Sequence, residues 1–294
     1  MAVVLTLFSV IPSVAGDPSD FEATKKLAEQ GNAGAQSSLG DMYQYGGGVP
    51  QNYEQAVKWY TKAAEQGEVY AQVSLGLMYQ YGGGVPQNYE QAVKWYTKAA
   101  EQGEVYAQFN LGSMYRNGQG VPQNGTEAVK WYTKAAEQGS VTAQNNLGEM
   151  HRYGYNSALQ NSLVPRLLRA IVYGYVYDGL PQDYKEAVKW YTKAAEQGDA
   201  GAQFNLGSMY RNGQGVPQNY KEAYIWASLA AAHSPAPEGA TKVRDAVAKK
   251  LPPKDLIAAQ QRAAELQKQI EANQLEANQG KTAIQPPIRL PSYP

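Results

Sequence analysis

"EVYAQVSLGLMYQYGGGVPQNYEQAVKWYTKAAEQG", residues 68–103, decides the fold. Ala71, Leu75, Met78 and Tyr79 fall at i, i+4, i+7 and i+8, so they share one face of a helix. Val73, Leu77 and Gln80 lie on the opposite face. The run "GGGVPQN" then breaks the pattern, because its glycines end a helix, Pro86 cannot continue one and Asn88 is a good N-cap for the next. Ala92, Tyr96, Ala99 and Ala100 repeat the apolar face spacing, and Gly103 closes the second helix. The stretch predicts a helical hairpin.

Working outward, the same unit recurs. Trp59, Trp95, Trp131, Trp190 and Trp226 are spaced by 36, 36, 59 and 36 residues. The glycines closing each "AEQG" keep the same step, with Gly31, Gly67, Gly103 and Gly139 in register and Gly198 displaced. A fixed period in this range marks a solenoid and overrules the two globular domains that 294 residues would otherwise suggest. Small residues such as Ala71 and Gly76 let helices approach, while Leu75, Met78, Trp95 and Tyr96 fill the space between them. One hairpin cannot bury that face alone, so several must stack. The class predicted is all-α: an α/α superhelical solenoid of about five 36-residue hairpins with C-terminal capping helices.

The positions "AQ", "LG", "MY", "GVPQNY", "WY" and "AAEQG" in residues 35–67, repeated over 71–103, resemble the Sel-one-like repeat, a bacterial relative of the tetratricopeptide repeat. The resemblance covers residues 28–233. It implies a right-handed α/α superhelix and a non-enzymatic role as adaptor or scaffold for other proteins or peptides. The segment "ATKVRDAVAKKLPPKDLIAAQQRAAEL" is similar to the tails that close bacterial members. Some secreted members carry a cysteine pair per repeat and are linked with cell-wall ligands; this chain has no cysteine, so that stapling does not carry over. The family supplies no catalytic residues.

Composition narrows the function classes. Hydrophobic residues make up 43% and charged residues 18%, with zero formal net charge, so the chain can bury a core and its bulk charge does not recommend nucleic acid. The lack of cysteine excludes disulfides, thiolate metal sites and cysteine nucleophiles. Neither His151 nor His233 has an acid and a nucleophile arranged around it in the sequence, and "YGGGVPQN" lacks the lysine and the strand of a phosphate loop. His151 stands where other copies have Tyr43, Tyr79, Tyr115 and Tyr210, which reads as a packing substitution. No cofactor and no metal are expected. An alternative class is a cell-wall or carbohydrate-binding envelope protein, suggested by 23 tyrosines and five tryptophans, most of them at core positions by spacing.

Partner-binding residues are sought on the first helix of each hairpin, opposite its core face, because solenoids bind along an extended concave surface. Residues 37–72 and 73–108 differ at two positions only, Ser37 against Val73 and Asp41 against Leu77, and both fall on that face. The framework is fixed and this face varies. The residues singled out there are Val73, Leu77, Phe109, Arg116, Arg152, Phe204 and Arg211. Arginine near an aromatic is enriched at interface hot spots. The two phenylalanines have an alternative reading, packing between adjacent first helices. Lysines recur on the second helices, as in Lys58 with Lys62 and Lys94 with Lys98; balancing glutamates such as Glu54 and Glu90 favour a solvated face over an anion-binding stripe.

Residues 1–15 read as a signal peptide: the apolar stretch Ala2 to Val10 is followed by small residues Ser13 and Ala15, although no basic residue precedes Lys25. This implies a periplasmic or secreted protein. No run spans a membrane convincingly, since Pro12 interrupts the longest apolar stretch. The solenoid is placed at 16–233, capping helices at 234–273 and a disordered, proline-containing tail at 274–294. The displaced interval is read as a degenerate repeat at about 156–172. Just after it, in residues 173–184, Gly174 and Tyr177 are aligned with Gly112 and Tyr115, as the end of a first helix leading into Lys185 to Gln197, and the seam is expected to stack most weakly.

Overall fold

A computed structural model describes residues 18–154 and 181–281. The signal segment expected at 1–15, the degenerate repeat expected at 156–172 and the residues beyond 281 lie outside the described residues. Among the described residues there are thirteen helices and no strand. They are α1 (Pro18–Glu29), α2 (Ala33–Tyr45), α3 (Tyr53–Glu65), α4 (Val69–Tyr81), α5 (Tyr89–Glu101), α6 (Val105–Asn117), α7 (Gly125–Glu137), α8 (Val141–Tyr153), α9 (Tyr184–Glu196), α10 (Ala200–Asn212), α11 (Tyr220–Ala232), α12 (Ala240–Ala248) and α13 (Pro253–Lys281). The chain divides after Gln102 into two compact units, the first holding α1 to α5 and the second α6 to α13.

The predicted hairpins form for local reasons. Each first helix opens on a side-chain cap: Asn32 Oδ1 accepts from the Ala35 amide at 2.8 Å, and Asp199 Oδ1 from the Ala202 amide at 2.6 Å. Glutamates do the same work at Glu68 and Glu104, whose carboxylates accept from Ala71 and Ala107. The first helices α2, α4, α6 and α10 end where glycine takes the left-handed conformation, as at Gly82 with φ +82°, a position costly for any residue with a side chain. Asn52, Asn88, Asn124, Asp183 and Asn219 then cap the second helices.

Two side-chain rows tie the helices together. In the first, a glycine on the first helix faces a tyrosine ring on the second: a Cβ on Gly40, Gly76, Gly112 or Gly148 would come within 2.5 to 2.8 Å of Tyr60, Tyr96, Tyr132 or Tyr191. Those four tyrosines are among the largest fully buried side chains of the chain. In the second, a buried glutamine bonds backward and forward. Gln72 Nε2 donates to the Ala64 carbonyl at 3.2 Å, and Gln72 Oε1 accepts from Gln102 Nε2 at 2.8 Å. Gln36 with Gln66, Gln108 with Gln138 and Gln144 with Gln197 repeat the side-chain bond. At the last rung His233 Nε2 meets Gln203 Oε1 at 3.1 Å.

The helix that packs on α9 is α8, with Gly148 and His151 in the places of Gly112 and Tyr115. Gly174 and Tyr177, read from the sequence as the end of a first helix leading into α9, lie outside the described residues. The Asp183 amide donates to the His151 carbonyl at 2.7 Å, the counterpart of Asn88 to Tyr79 at 2.8 Å and Asn124 to Tyr115 at 2.9 Å. Gln182 Nε2 likewise donates to the Arg152 carbonyl at 2.6 Å, as Gln123 does to Arg116 at 2.8 Å. Both rows described above run through the α8–α9 hairpin with their bonds in place, and the segment expected to stack most weakly, 156–172, lies outside the described residues. A loop's length changes closure entropy only slowly, so an intact pair of facing helices survives a long connection.

Past α11 the expected capping helices are present. Val243 and Val247 of α12 and Ala259, Ala263 and Ile270 of α13 are buried in one cluster with Tyr224, Ile225 and Trp226. Lys221 pairs with Asp255 at 2.8 Å, and Gln274 Nε2 donates to the Gln197 carbonyl at 2.8 Å, so α13 passes both α11 and the end of α9. The tail boundary needs correcting too. Helix α13 continues through residues 274–281, a segment rich in leucine, alanine, glutamate and glutamine, all good helix formers.

Candidate functional site

The face of the first helices opposite the glycine row is where the sequence varies, and the buried tyrosines reach it from beneath. Tyr60 Oη lies 2.6 Å from Asp41 Oδ1 and 2.7 Å from Gln44 Oε1. Tyr96 donates to Gln80 Oε1 at 2.7 Å, and Tyr132 shares a hydrogen bond with Ser113 at 2.9 Å. A fixed phenol thus bonds a polar side chain of the first helix in each of these three hairpins. The exception is Tyr191, whose buried hydroxyl meets no hydrogen-bond partner among the described residues. Burial pushes that phenol up and Glu149 adds to the rise, while Arg152, the donor directed toward it, opposes the rise without a bond of ordinary geometry.

In the second unit the face is basic. Arg116 pairs with Glu149 at 3.6 Å, with both side chains partly exposed. Arg152 Nη1 donates to Asn205 Oδ1 at 2.7 Å, and its guanidinium lies 5.1 Å from the Tyr153 ring centre. Arg211 Nε donates to Asn212 Oδ1 at 3.2 Å. The three arginines hold one position in successive first helices, α6, α8 and α10, and the 59-residue interval does not break the row because α8 pairs with α9.

The apolar members of the expected set behave otherwise. Val73 and Leu77 are 0% and 3% exposed, which withdraws them from the contact surface expected for them. An apolar pair at i and i+4 gains most by leaving water. Phe109 is half-buried with its ring 5.6 Å from Tyr132, and Phe204 is half-buried against the Tyr224 and Trp226 cluster. Both phenylalanines pack, though against second-helix side chains and not, as the alternative reading had it, between adjacent first helices.

On the second helices each lysine row lies over tryptophan, with Lys62 4.2 Å from the Trp59 ring centre, Lys98 4.5 Å from Trp95, Lys134 4.4 Å from Trp131 and Lys193 4.7 Å from Trp190. Lys130 and Lys189 pair with Glu127 and Glu186 at 3.1 Å each. Internal contacts of this kind fit the solvated-face reading. His151 is half-buried, and burial pushes its imidazole down, as suits a ring at a packing site.

Comparison with known proteins agrees with this geometry. The family described as Sel1 repeat matches residues 33–68, 69–104, 105–140, 141–162, 171–199 and 200–234. The chain belongs to the Sel1 repeat family. A solved Sel1 repeat protein from Oxalobacter formigenes is 32% identical, with 84% of this chain and 95% of that one covered and a TM-score of 0.62. A protective antigen present in uropathogenic Escherichia coli strains, displaying an SLR fold, is 27% identical over 93% of this chain and 76% of its own, with a TM-score of 0.38. Among curated proteins none matches.

The Sel1 repeats matched at 141–162 and 171–199 are partial, and α8 and α9 of these two pieces make one hairpin. Sequence reading placed the arginines at one register position of the first helices, where the structure has them, and did not single out the polar group around Asp41. A signal was available: Asp41 is one of two differences between otherwise identical 36-residue copies. What the sequence does not carry is that Tyr60 and Tyr70 close on it from two other helices.

Proposed function

We propose that this Sel1 repeat protein is a non-enzymatic interaction scaffold that engages a protein or peptide partner through the first-helix face of its second unit. The observation that carries the reading is the row Arg116, Arg152 and Arg211, three partly exposed guanidinium groups at one register position of α6, α8 and α10. Arginine offers five donors in a planar fork, and such groups on a repeat surface select acidic side chains while the repeats beneath supply rigidity. Glu149 and Asn205 hold two of the three in place without covering them. The apolar run near the start of the chain supports export to the periplasm or beyond, with a mature N-terminus near Gly16 as its check.

The test is site-specific photo-crosslinking at positions 113 and 208, beside the arginines, in the native host. Adducts to one defined protein, lost when Arg116 and Arg211 are both changed to Glu, are the expected result. An unchanged adduct pattern and unchanged affinity for the isolated partner in that double variant overturn the reading.

A further inference from the structure

In the first unit, three helices bring an excess of hydrogen-bond acceptors to one half-buried point. Asp41 stands on α2, one turn before Gln44. From α3 the Tyr60 hydroxyl reaches both Asp41 Oδ1 and Gln44 Oε1, yet it has a single proton to give. From the first turn of α4 the Tyr70 hydroxyl bonds Asp41, and Ser74 in turn donates to Tyr70. Gln44 Nε2 is turned away, donating to Tyr45 Oη at 3.1 Å. The carboxylate, the Gln44 carbonyl and the phenol oxygens outnumber the protons that Tyr60 and Tyr70 supply. The group lacks a donor.

It also lacks a charge. The ion pairs among the described residues leave Asp41 out, whereas Glu149, at the same position in α8, has Arg116. Burial pushes the Asp41 carboxyl up to about 6, Glu68 adds to the rise and the Tyr60 and Tyr70 bonds oppose it. Packing does not require a carboxylate there, since Leu77, Ser113 and Ser208 fill the equivalent position in other hairpins. A residue that costs stability where a neutral one fits is the kind retained for binding. Tyr45, 40% exposed, stands beside the group at its solvent edge.

We propose that Asp41, Gln44, Tyr45, Tyr60 and Tyr70 form a receptor for one cationic side chain, a lysine ammonium or an arginine guanidinium, presented by the partner protein. An N–H donor with a full positive charge satisfies the surplus acceptors and the carboxylate at once, and the tyrosine rings suit a cation's apolar stem and charge. This deepens the scaffold reading and rests on it: one unit takes a basic group while the other presents arginines. It concerns a site that needs no identified partner to be probed.

The experiment titrates Nα-acetyl-lysine amide and Nα-acetyl-arginine amide into the full chain at pH 7.5, with Nα-acetyl-norleucine amide as the uncharged control. Tyrosine ring resonances of Tyr45 and Tyr70 are followed by NMR. Saturable shifts with the two cations, a norleucine derivative at least tenfold weaker, and at least tenfold weaker cation binding in Asp41→Asn are expected. Arg211→Glu in the other unit should leave the titration unchanged. Should Asp41→Asn lose helical signal, Asp41→Ser, the residue found at 113 and 208, replaces it with the same tenfold criterion. Equal binding of the norleucine derivative, no saturable shift with the cations, or equal cation binding in a folded Asp41 variant overturns the proposal. The crosslinking at positions 113 and 208 is independent of this titration, so failure here with success there retires the cation site alone, and the reverse retires the arginine row alone.

Discussion

The Asp183 amide donates to the His151 carbonyl at 2.7 Å across 31 intervening residues, making the bond that Asn88 makes to Tyr79 across eight. At the two ends of the displaced interval, α8 and α9 make one hairpin of the ordinary kind.

Replacing residues 154–182 with the connector "GQGVPQ" of residues 118–123 should therefore leave a folded protein with the same helical content. Shortening the connection lowers its closure entropy cost, by about 1 kcal/mol, so a denaturation midpoint equal to or slightly above the parent's is expected. A large loss of stability in urea unfolding would show that the hairpin depends on the connection.

Gly76 has no room for a methyl group. Its Cβ would come 2.5 Å from the Tyr96 ring, which is itself fully buried. Gly76→Ala should cost about 1–3 kcal/mol by forcing α4 and α5 apart, and Gly67→Ala should cost less because nothing lies within 4 Å of that Cβ and only its φ of +93° opposes the change. Chemical denaturation of the two variants in parallel checks the order.

The tyrosine row gives a paired test. Tyr60→Phe removes a hydroxyl bonded to Asp41 and Gln44 and should destabilise by about 1–2 kcal/mol. Tyr191→Phe removes a buried hydroxyl without a partner, and its expected effect is neutral or stabilising, since the cost of burying that group disappears. Equal losses in the two variants would mean that Tyr191 bonds something in solution.

Asp41 sets a pH dependence whose sign follows from its raised carboxyl value. The folded state holds the proton up to about 6 and the unfolded state only to about 3.8, so between these values the folded state binds more protons and stability falls as pH rises. The contribution, on the order of 1–3 kcal/mol, is fully relieved below pH 3.8 and fully present above about 6. The groups facing Asp41 are Tyr45, Tyr60, Tyr70 and Glu68; burial pushes the Tyr60 and Tyr70 phenols further up, away from this window. Asp41→Asn should flatten this part of the curve and be the more stable protein at pH 8, as read from urea unfolding across the pH range.

Much of the local structure was written in short-range pattern. The i, i+4, i+7 spacing of Ala71, Leu75 and Met78 located α4, Pro86 and the glycines around it marked the break, and Asn88 marked the restart. The candidate surface was legible only in part. Arg116, Arg152 and Arg211 follow from repeat register, but Val73 and Leu77 occupy the same face and are buried, because register gives direction and not depth. Phe109 and Phe204 turned to packing for the same reason, each finding a neighbouring ring or cluster within reach.

By itself the sequence determined a 36-residue helical hairpin, its caps, its glycine contacts and the family to which it belongs, since each depends on residues a few places apart or on the repeat itself. Only the tertiary structure decided that α8 closes on α9, that Tyr191 is left without a partner, and that Tyr60 and Tyr70 meet at Asp41. Those relationships join side chains from different helices, 16 to 53 residues apart, and their geometry is set by how the helices face one another once packed.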